Sequence, residues 1–180
     1  MDVVDVYCGV GGFSCGAIHA GCQPVMGVDC DDTVLRLWAA NTKGKGSAAS
    51  LWNDGVDWPP ARSKLHVHMS PPCTTLSTAN RDVNPQAGVD GLNSIRRALQ
   101  FVLDAGYTSW SLENVSTPAV RKLLSRFVNE SPERVAYTTI DAADLGTPSN
   151  RLRLIAGPPA MIRHLHETPV HRVSVADAFA

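Results

Sequence analysis

The chain has 180 residues, 44% of them hydrophobic, with a formal net charge of -1 at pH 7, which provides for one well-buried core and predicts a single domain over residues 1–180. So balanced a charge speaks against a free-standing nucleic-acid binder, because neutralisation of phosphates normally supplies most of that affinity. The five cysteines (Cys8, Cys15, Cys22, Cys30, Cys73) include no C-x-x-C pair and fit no common zinc spacing, and no basic segment followed by a long apolar run opens the sequence, so a reduced, intracellular chain in cytoplasm or nucleus, with no metal site, signal peptide or membrane span, is expected.

In chain order, strands alternate with helices, the pattern of a mostly parallel sheet covered by helices on both faces. Val3 to Tyr7 is a β-branched run ending in the glycine-rich Cys8-Gly9-Val10-Gly11-Gly12, and Phe13 to Ala20 then has helical character. Gln23 to Val28 reads as a second strand that stops at Asp29, and Asp32 is placed to cap a helix through Leu35 and Trp38 to Asn41. Leu65, Val67 and Met69 alternate with His66 and His68, which predicts a strand with the histidines facing outward, and it delivers the chain to Pro71-Pro72-Cys73. Thr74 to Asp90 has little periodicity and predicts a long loop, a length that ordered domains keep for functions such as a lid. Leu92, Ile95, Leu99, Val102 and Leu103 mark an amphipathic helix, and Ser109 to Leu112 a strand ending at Glu113. Val120 to Val128 reads as helix, Val135 to Ile140 and Arg153 to Ala156 as strands. Residues 1–60 carry seven acids against three bases, whereas 121–180 carry six acids against eight bases and three histidines, so a polyanion should meet the later half.

Four features can carry chemistry. Gly9-x-Gly11-Gly12 lets backbone amides approach a ligand, and Asp29, at the end of the next strand, can accept from ribose hydroxyls; the same residues also fit a turn that merely packs helix on strand. The loop is neither the G-x-G-x-x-G of dinucleotide sites nor a P-loop, which disfavours nicotinamide cofactors and nucleoside triphosphates. A lone cysteine is more often a buried small hydrophobe, yet Cys73 follows two stiffening prolines at a strand exit, where parallel α/β folds bind ligands, and that setting favours a nucleophile. Glu113 leaves an apolar strand for a polar turn, where desolvation lets a carboxyl hold a proton for donation; the alternative is a helix cap. Arg151 and Arg153 alternate on a strand and should face opposite ways, one toward a substrate and one toward phosphate, unless both are ordinary surface residues.

Taken together, these segments resemble the catalytic part of the DNA (cytosine-5) methyltransferases, over about residues 3 to 157. Asp5-Val6-Tyr7-Cys8-Gly9-Val10-Gly11-Gly12-Phe13-Ser14-Cys15-Gly16 resembles the family's S-adenosylmethionine loop, with Tyr7 where Phe is usual. Asp29 stands where the family has its ribose-binding acid. Pro71-Pro72-Cys73 with Ser77 resembles the nucleophile motif, with Thr74 replacing glutamine, and Glu113-Asn114-Val115 matches Glu-Asn-Val. Gly146-Thr147-Pro148-Ser149-Asn150-Arg151-Leu152-Arg153 resembles Gly-Val-Pro-Gln-x-Arg-x-Arg, with Ser149 for glutamine.

The resemblance implies a Rossmann-like methyltransferase fold and S-adenosyl-L-methionine as cofactor, held by Tyr7, Cys8, Gly9, Gly11, Gly12, Asp29, Pro72 and Leu92, with Asp54 on the adenine. It implies Cys73, Glu113, Arg153 and Asn114 as catalytic residues acting on a cytosine flipped out of duplex DNA, with Ser77, Arg81 and Arg151 on the substrate side and Asn80 in the closing loop. The family's target-recognition region has no counterpart here, so the resemblance implies either a second protein chain that supplies recognition, or a fragment or diverged relative with weak activity. Two alternatives stay open: an RNA (tRNA) cytosine-5 methyltransferase, since Pro-Pro-Cys also occurs in that branch, and a non-catalytic or regulatory cofactor-binding relative.

Overall fold

The apolar run Asp2–Val6 forms β1, and Val3, Val4 and Val6 are all buried, so the strand is covered on both faces as parallel strands are. The structure is a computed structural model that describes residues 1–43, 46–48, 56–73, 76 and 85–174. The chain divides into two compact units, residues 1–72 with 94–112, and residues 73–93 with 113–180.

In the first unit β1, β2 (Gln23–Asp29), β3 (Gly46–Ala48), β4 (Leu65–Met69) and the opening residues of β5 (Trp110–Asn114) run parallel in the order β3-β2-β1-β4-β5. The chain steps outward from β1 to β3, then returns to the other side of β1. Right-handed crossovers therefore set α1 (Gly12–His19) and α2 (Asp32–Thr42) against one face, and α3 (Pro85–Asp104), which joins β4 to β5, against the other. Ligands of such sheets bind where the order reverses, at the strands' carboxyl ends. Here that point lies between the exits of β1 and β4. Ser70 ties them, its N–H donating to the Val6 carbonyl at 3.1 Å and its hydroxyl to the Tyr7 carbonyl at 3.2 Å.

Trp38 of α2 is fully buried against β2. A Cβ at Gly27 would stand 2.4 Å from its ring, so the indole lies where only glycine admits it. Three sequence expectations are corrected. The cap of α2 is Asp31, whose carboxylate accepts from Thr33 N at 2.7 Å and Val34 N at 3.3 Å, which leaves Asp32 inside the first turn. The last part of the expected loop, from Pro85, is helix, with proline at the end of a helix where its missing N–H costs nothing. His66 and His68 do not face outward: His66 is half-buried and His68 is buried, because β4 is an inner strand of a sheet covered on both sides.

The second unit contains α4 (Pro118–Glu130), the antiparallel pair β6 (Ala136–Asp141) and β7 (Leu152–Gly157), and α5 (Pro159–Glu167). Val120, Leu124, Val135, Leu154 and Ala156 are buried in it. Thr117 caps α4 through its hydroxyl to Val120 N at 3.4 Å, so the cap role considered for Glu113 belongs to Thr117. Sequence periodicity missed β3, too short to show alternation, and α5. Among the described residues no helix is long and apolar enough to cross a membrane.

Candidate functional site

The loop leaving β1 turns sharply enough that three residues take left-handed backbone angles: Tyr7 at φ 59°, Gly9 at 53° and Gly11 at 97°. Only the glycines adopt this region without cost, so Tyr7 is held there by its surroundings. Cys8 N donates to Val28 O at 3.1 Å, Gly11 N to Cys8 O at 3.0 Å, and Asn41 Nδ2 to Val10 O at 2.8 Å. Asp29 closes the loop from β2. Its Oδ2 accepts from Gly9 N at 3.1 Å and its Oδ1 from Cys30 N at 2.8 Å and Asp31 N at 3.3 Å. A carboxylate offers about four acceptor sites, so one is left for a ligand hydroxyl. Cβ positions built at Gly9 and Gly12 meet nothing within 4 Å, which leaves that backbone open to close approach. An open amide loop beside an acid at the second strand's end fits a nucleoside with a free ribose edge.

Beneath the loop runs a buried polar chain that the motif reading did not separate from the loop itself. Trp38 Nε1 donates to Ser14 Oγ at 2.9 Å, and Ser14 Oγ donates to Asp5 Oδ2 at 2.6 Å. Asp5 is fully buried, and its Oδ1 makes no hydrogen bond. Burial pushes its carboxyl up to about 7, against the pull of the Ser14 and Trp38 hydrogen bonds, with Asp29 adding to the rise. Burial, helped by Asp5 and Asp29, pushes the Cys8 thiol up to about 12, which makes that cysteine a small apolar filler packed with Leu35 and Trp38. Beside Asp5 in the sheet register stands His68, stacked on Phe13 of α1 at 3.6 Å between ring centres and 9° between planes. The first turn of α1 is thus pinned by adjacent residues, Phe13 to His68 and Ser14 to Asp5.

His66 and His68 share a partner. Ser111 Oγ lies 2.9 Å from His66 Nε2 and 2.8 Å from His68 Nδ1, while Ser109 Oγ lies 2.9 Å from His66 Nδ1. Burial holds His66 down at about 4 and, with His66 adding to it, His68 at about 3. Both rings are neutral at ordinary pH. The signal was legible: Ser109, just before β5, and Ser111 within it alternate in step with the two histidines on β4.

Met69 pairs with Leu112, so β4 and β5 end side by side. Cys73 lies beyond β4, half-buried, with its carbonyl accepting from Leu76 N at 3.0 Å. Glu113, half-buried, is the fourth residue of β5 rather than its terminus. Arg153 Nε stands 2.7 Å from Glu113 Oε1, and an Arg151 nitrogen stands 3.9 Å from the same oxygen. The Arg153 Nε–H is buried and makes no hydrogen bond, so the short distance to Glu113 is an ion pair whose N–H is not aimed at the oxygen, while Nη1 donates to Leu152 O at 2.8 Å. The two arginines therefore share one carboxylate instead of facing apart. Arg151 precedes the first residue of β7 and escapes strand alternation; its N–H is fixed by Asp141 Oδ1 at 2.8 Å. Asn114 is buried, and its Oδ1 accepts from Val115 N at 2.9 Å in the turn after Glu113. Pro72 is exposed at the exit of β4, and Leu92 is half-buried in α3. Asp54, Ser77, Asn80 and Arg81 lie outside the described residues.

No family model matches the chain. It is 24% identical over 176 residues to M.MJ0563P of Methanocaldococcus jannaschii, named as a type II methyltransferase, covering 86% of this chain and 54% of that protein. A prophage-encoded E. coli protein named as a DNA modification methyltransferase superposes with a TM-score of 0.62 at 22% identity, over 99% of this chain and 54% of that one. The S. pombe Dnmt2 methyltransferase gives 0.51 at 14% identity, over 99% and 53%. The fold is therefore that of the Rossmann-like methyltransferases, whose cofactor is S-adenosylmethionine, and the chain spans about half the length of the relatives it matches.

Proposed function

We propose that this chain is the catalytic portion of a DNA cytosine-5 methyltransferase that uses S-adenosyl-L-methionine, with recognition of the target sequence supplied by a further portion or a partner chain. The observation that carries this reading is the Glu113–Arg153 pair, 2.7 Å apart, near the end of β5 and the start of β7. A pyrimidine ring resists attack at C6 until the charge that develops on N3 and O2 is stabilised. A carboxyl and a guanidinium held side by side can supply this stabilisation at N3 and O2, the differential binding that lowers a barrier.

Cys73 would bond to C6 of a cytosine extruded from the duplex. Glu113 would hydrogen-bond or protonate N3, and Arg153, released from its unaimed contact, would donate to O2. Asn114 keeps the turn after Glu113 in place through Val115 N. The bound cofactor supplies an electrophilic methyl group for C5. Loss of the C5 proton then expels Cys73 and restores aromaticity. Gly9 and Gly12 present open backbone and Asp29 a spare acceptor for the nucleoside part of the cofactor.

The reading is tested by covalent trapping on duplex DNA carrying 5-fluorocytosine, with tRNA carrying the same base in parallel and with the recognition protein added. The unaltered chain should form a denaturation-resistant adduct with DNA, and Cys73→Ser should form none while binding S-adenosylhomocysteine as before. An adduct with tRNA alone would move the substrate to RNA. No adduct with either nucleic acid would leave a cofactor-binding protein without this chemistry.

A further inference from the structure

We propose that Asp5 makes the cofactor site discriminate by charge, binding the sulfonium form of the cofactor more tightly than its neutral thioether product once its carboxyl is ionised. The inference rests on the reading that the chain takes S-adenosylmethionine.

The geometry is unusual for a carboxyl. Asp5 sits in β1, two residues before the strained Tyr7, under the glycine loop, with no exposed surface and with Oδ1 making no hydrogen bond. Burying a half-satisfied carboxylate is costly, and where no cation faces it the group stays protonated instead. Among the described residues its neighbours give it none. From β2 the nearby charged group is Asp29, an anion. From β4 the register partner is His68, whose ring is neutral. The loop contributes the Cys8 thiol, and α1 and α2 contribute the uncharged Ser14 and Trp38. With its carboxyl pushed up to about 7, Asp5 changes charge in the physiological range beside a loop that presents open backbone to a ligand.

S-adenosylmethionine and S-adenosylhomocysteine differ by one methyl group and one positive charge. Below the Asp5 ionisation the two meet the same neutral side chain. Above it, only the first gains attraction from the new anion, and by linkage its binding pulls the Asp5 proton off. A shift of about one pKa unit on binding corresponds to roughly a tenfold change in relative affinity. The consequence for turnover is that a spent cofactor is held less firmly than a fresh one at mildly alkaline pH.

The test measures dissociation constants of both ligands by calorimetry from pH 6 to 8.5 on the full chain. The ratio of the two constants should move by about tenfold in favour of S-adenosylmethionine as pH rises through 7. Asp5→Asn should flatten the ratio. Ser14→Ala, which removes the hydroxyl hydrogen bond, the largest of those that favour the ionised form, should keep the change but move its midpoint to higher pH, and it serves where Asp5→Asn does not fold. A ratio that is constant with pH in the unaltered chain, a slope that survives in Asp5→Asn, or an unmoved midpoint in Ser14→Ala overturns the inference. If both ligands bind and the ratio is flat, only this inference fails. If neither binds at any pH, the cofactor reading fails and this inference with it.

Discussion

Acidification should destabilise this protein through His66 and His68, and His68→Phe should largely abolish that sensitivity. The folded-state values of about 4 for His66 and about 3 for His68 lie below the ordinary 6.5, so protons bind the unfolded chain first. Stability from these rings is fully present above about pH 6.5 and is lost as pH falls from there through the folded values. Asp5 acts the other way. Its value of about 7, above the ordinary 3.8, means that stability is gained as pH falls through 7 toward 3.8. Between pH 6.5 and 4 each of the three groups is displaced by about 2.5 units, or roughly 3 kcal/mol apiece at 1.36 kcal/mol per unit. Two losses against one gain leave a net loss of roughly 3 kcal/mol, a large share of the 5–15 kcal/mol typical of a folded domain. Phenylalanine at 68 keeps a ring against Phe13 and leaves Ser111 its bond to His66. One loss then balances one gain, and the histidine-driven fall disappears. Urea unfolding of both proteins at half-unit steps from pH 7 to 4 measures it. Because exposed groups titrate alike in the two chains, the difference between their curves isolates His68. Curves that stay parallel down to pH 4 would show that His68 is not a neutral buried ring.

Two further predictions follow from contacts. Gly27→Ala would drive a methyl group to 2.4 Å from the Trp38 ring, and displacing the indole strains the core and breaks its bond to Ser14; urea unfolding should show a loss of roughly 1–3 kcal/mol, with weakened S-adenosylhomocysteine binding, and unchanged stability would place the indole elsewhere. Arg153→Lys keeps a cation near Glu113 but loses the planar fork, so adduct formation on 5-fluorocytosine DNA should slow by roughly 10- to 100-fold while cofactor affinity holds; an unchanged rate would remove Arg153 from the chemistry.

How much of this was legible in the sequence depended on the kind of interaction. Periodicity located β1, β2, β4, β6 and β7 to within a residue or two, because each is a short run rich in branched or apolar residues. It failed at β3, whose three residues are too few to alternate, and at Pro85, where turn-forming residues lie inside the first turns of a helix. The glycine loop and Asp29 were found as a motif because tight turns and close backbone approach leave a glycine signature. The polar chain from Trp38 through Ser14 to Asp5 left none: its members are 9 and 24 residues apart, and only the fold makes them neighbours. The pattern reading of His66 and His68 failed for a general reason. A polar residue alternating with apolar ones faces water only if that face of the sheet is bare, and on β4 that face carries α1, whose Phe13 stacks on His68.

The ionisable groups divide by their position along the strands, and the division says where chemistry can occur. Inside the sheet, His66, His68 and Asp5 are stripped of water and held in uncharged forms, with serine hydroxyls as partners, because an unpaired charge there costs more than the fold can supply. At or next to the last residue of their strands, Asp29 is met by three backbone N–H groups and Glu113 by two guanidiniums, with part of each residue still accessible. Charge that is already compensated and partly solvated can be handed to a substrate at little further desolvation cost. A group locked in the interior can act only by changing its protonation, and among the three interior groups Asp5 alone does so near neutral pH. The loop between Asp5 and Asp29 is therefore the place where a change of charge inside the protein and a change of charge on a ligand can be felt by one another.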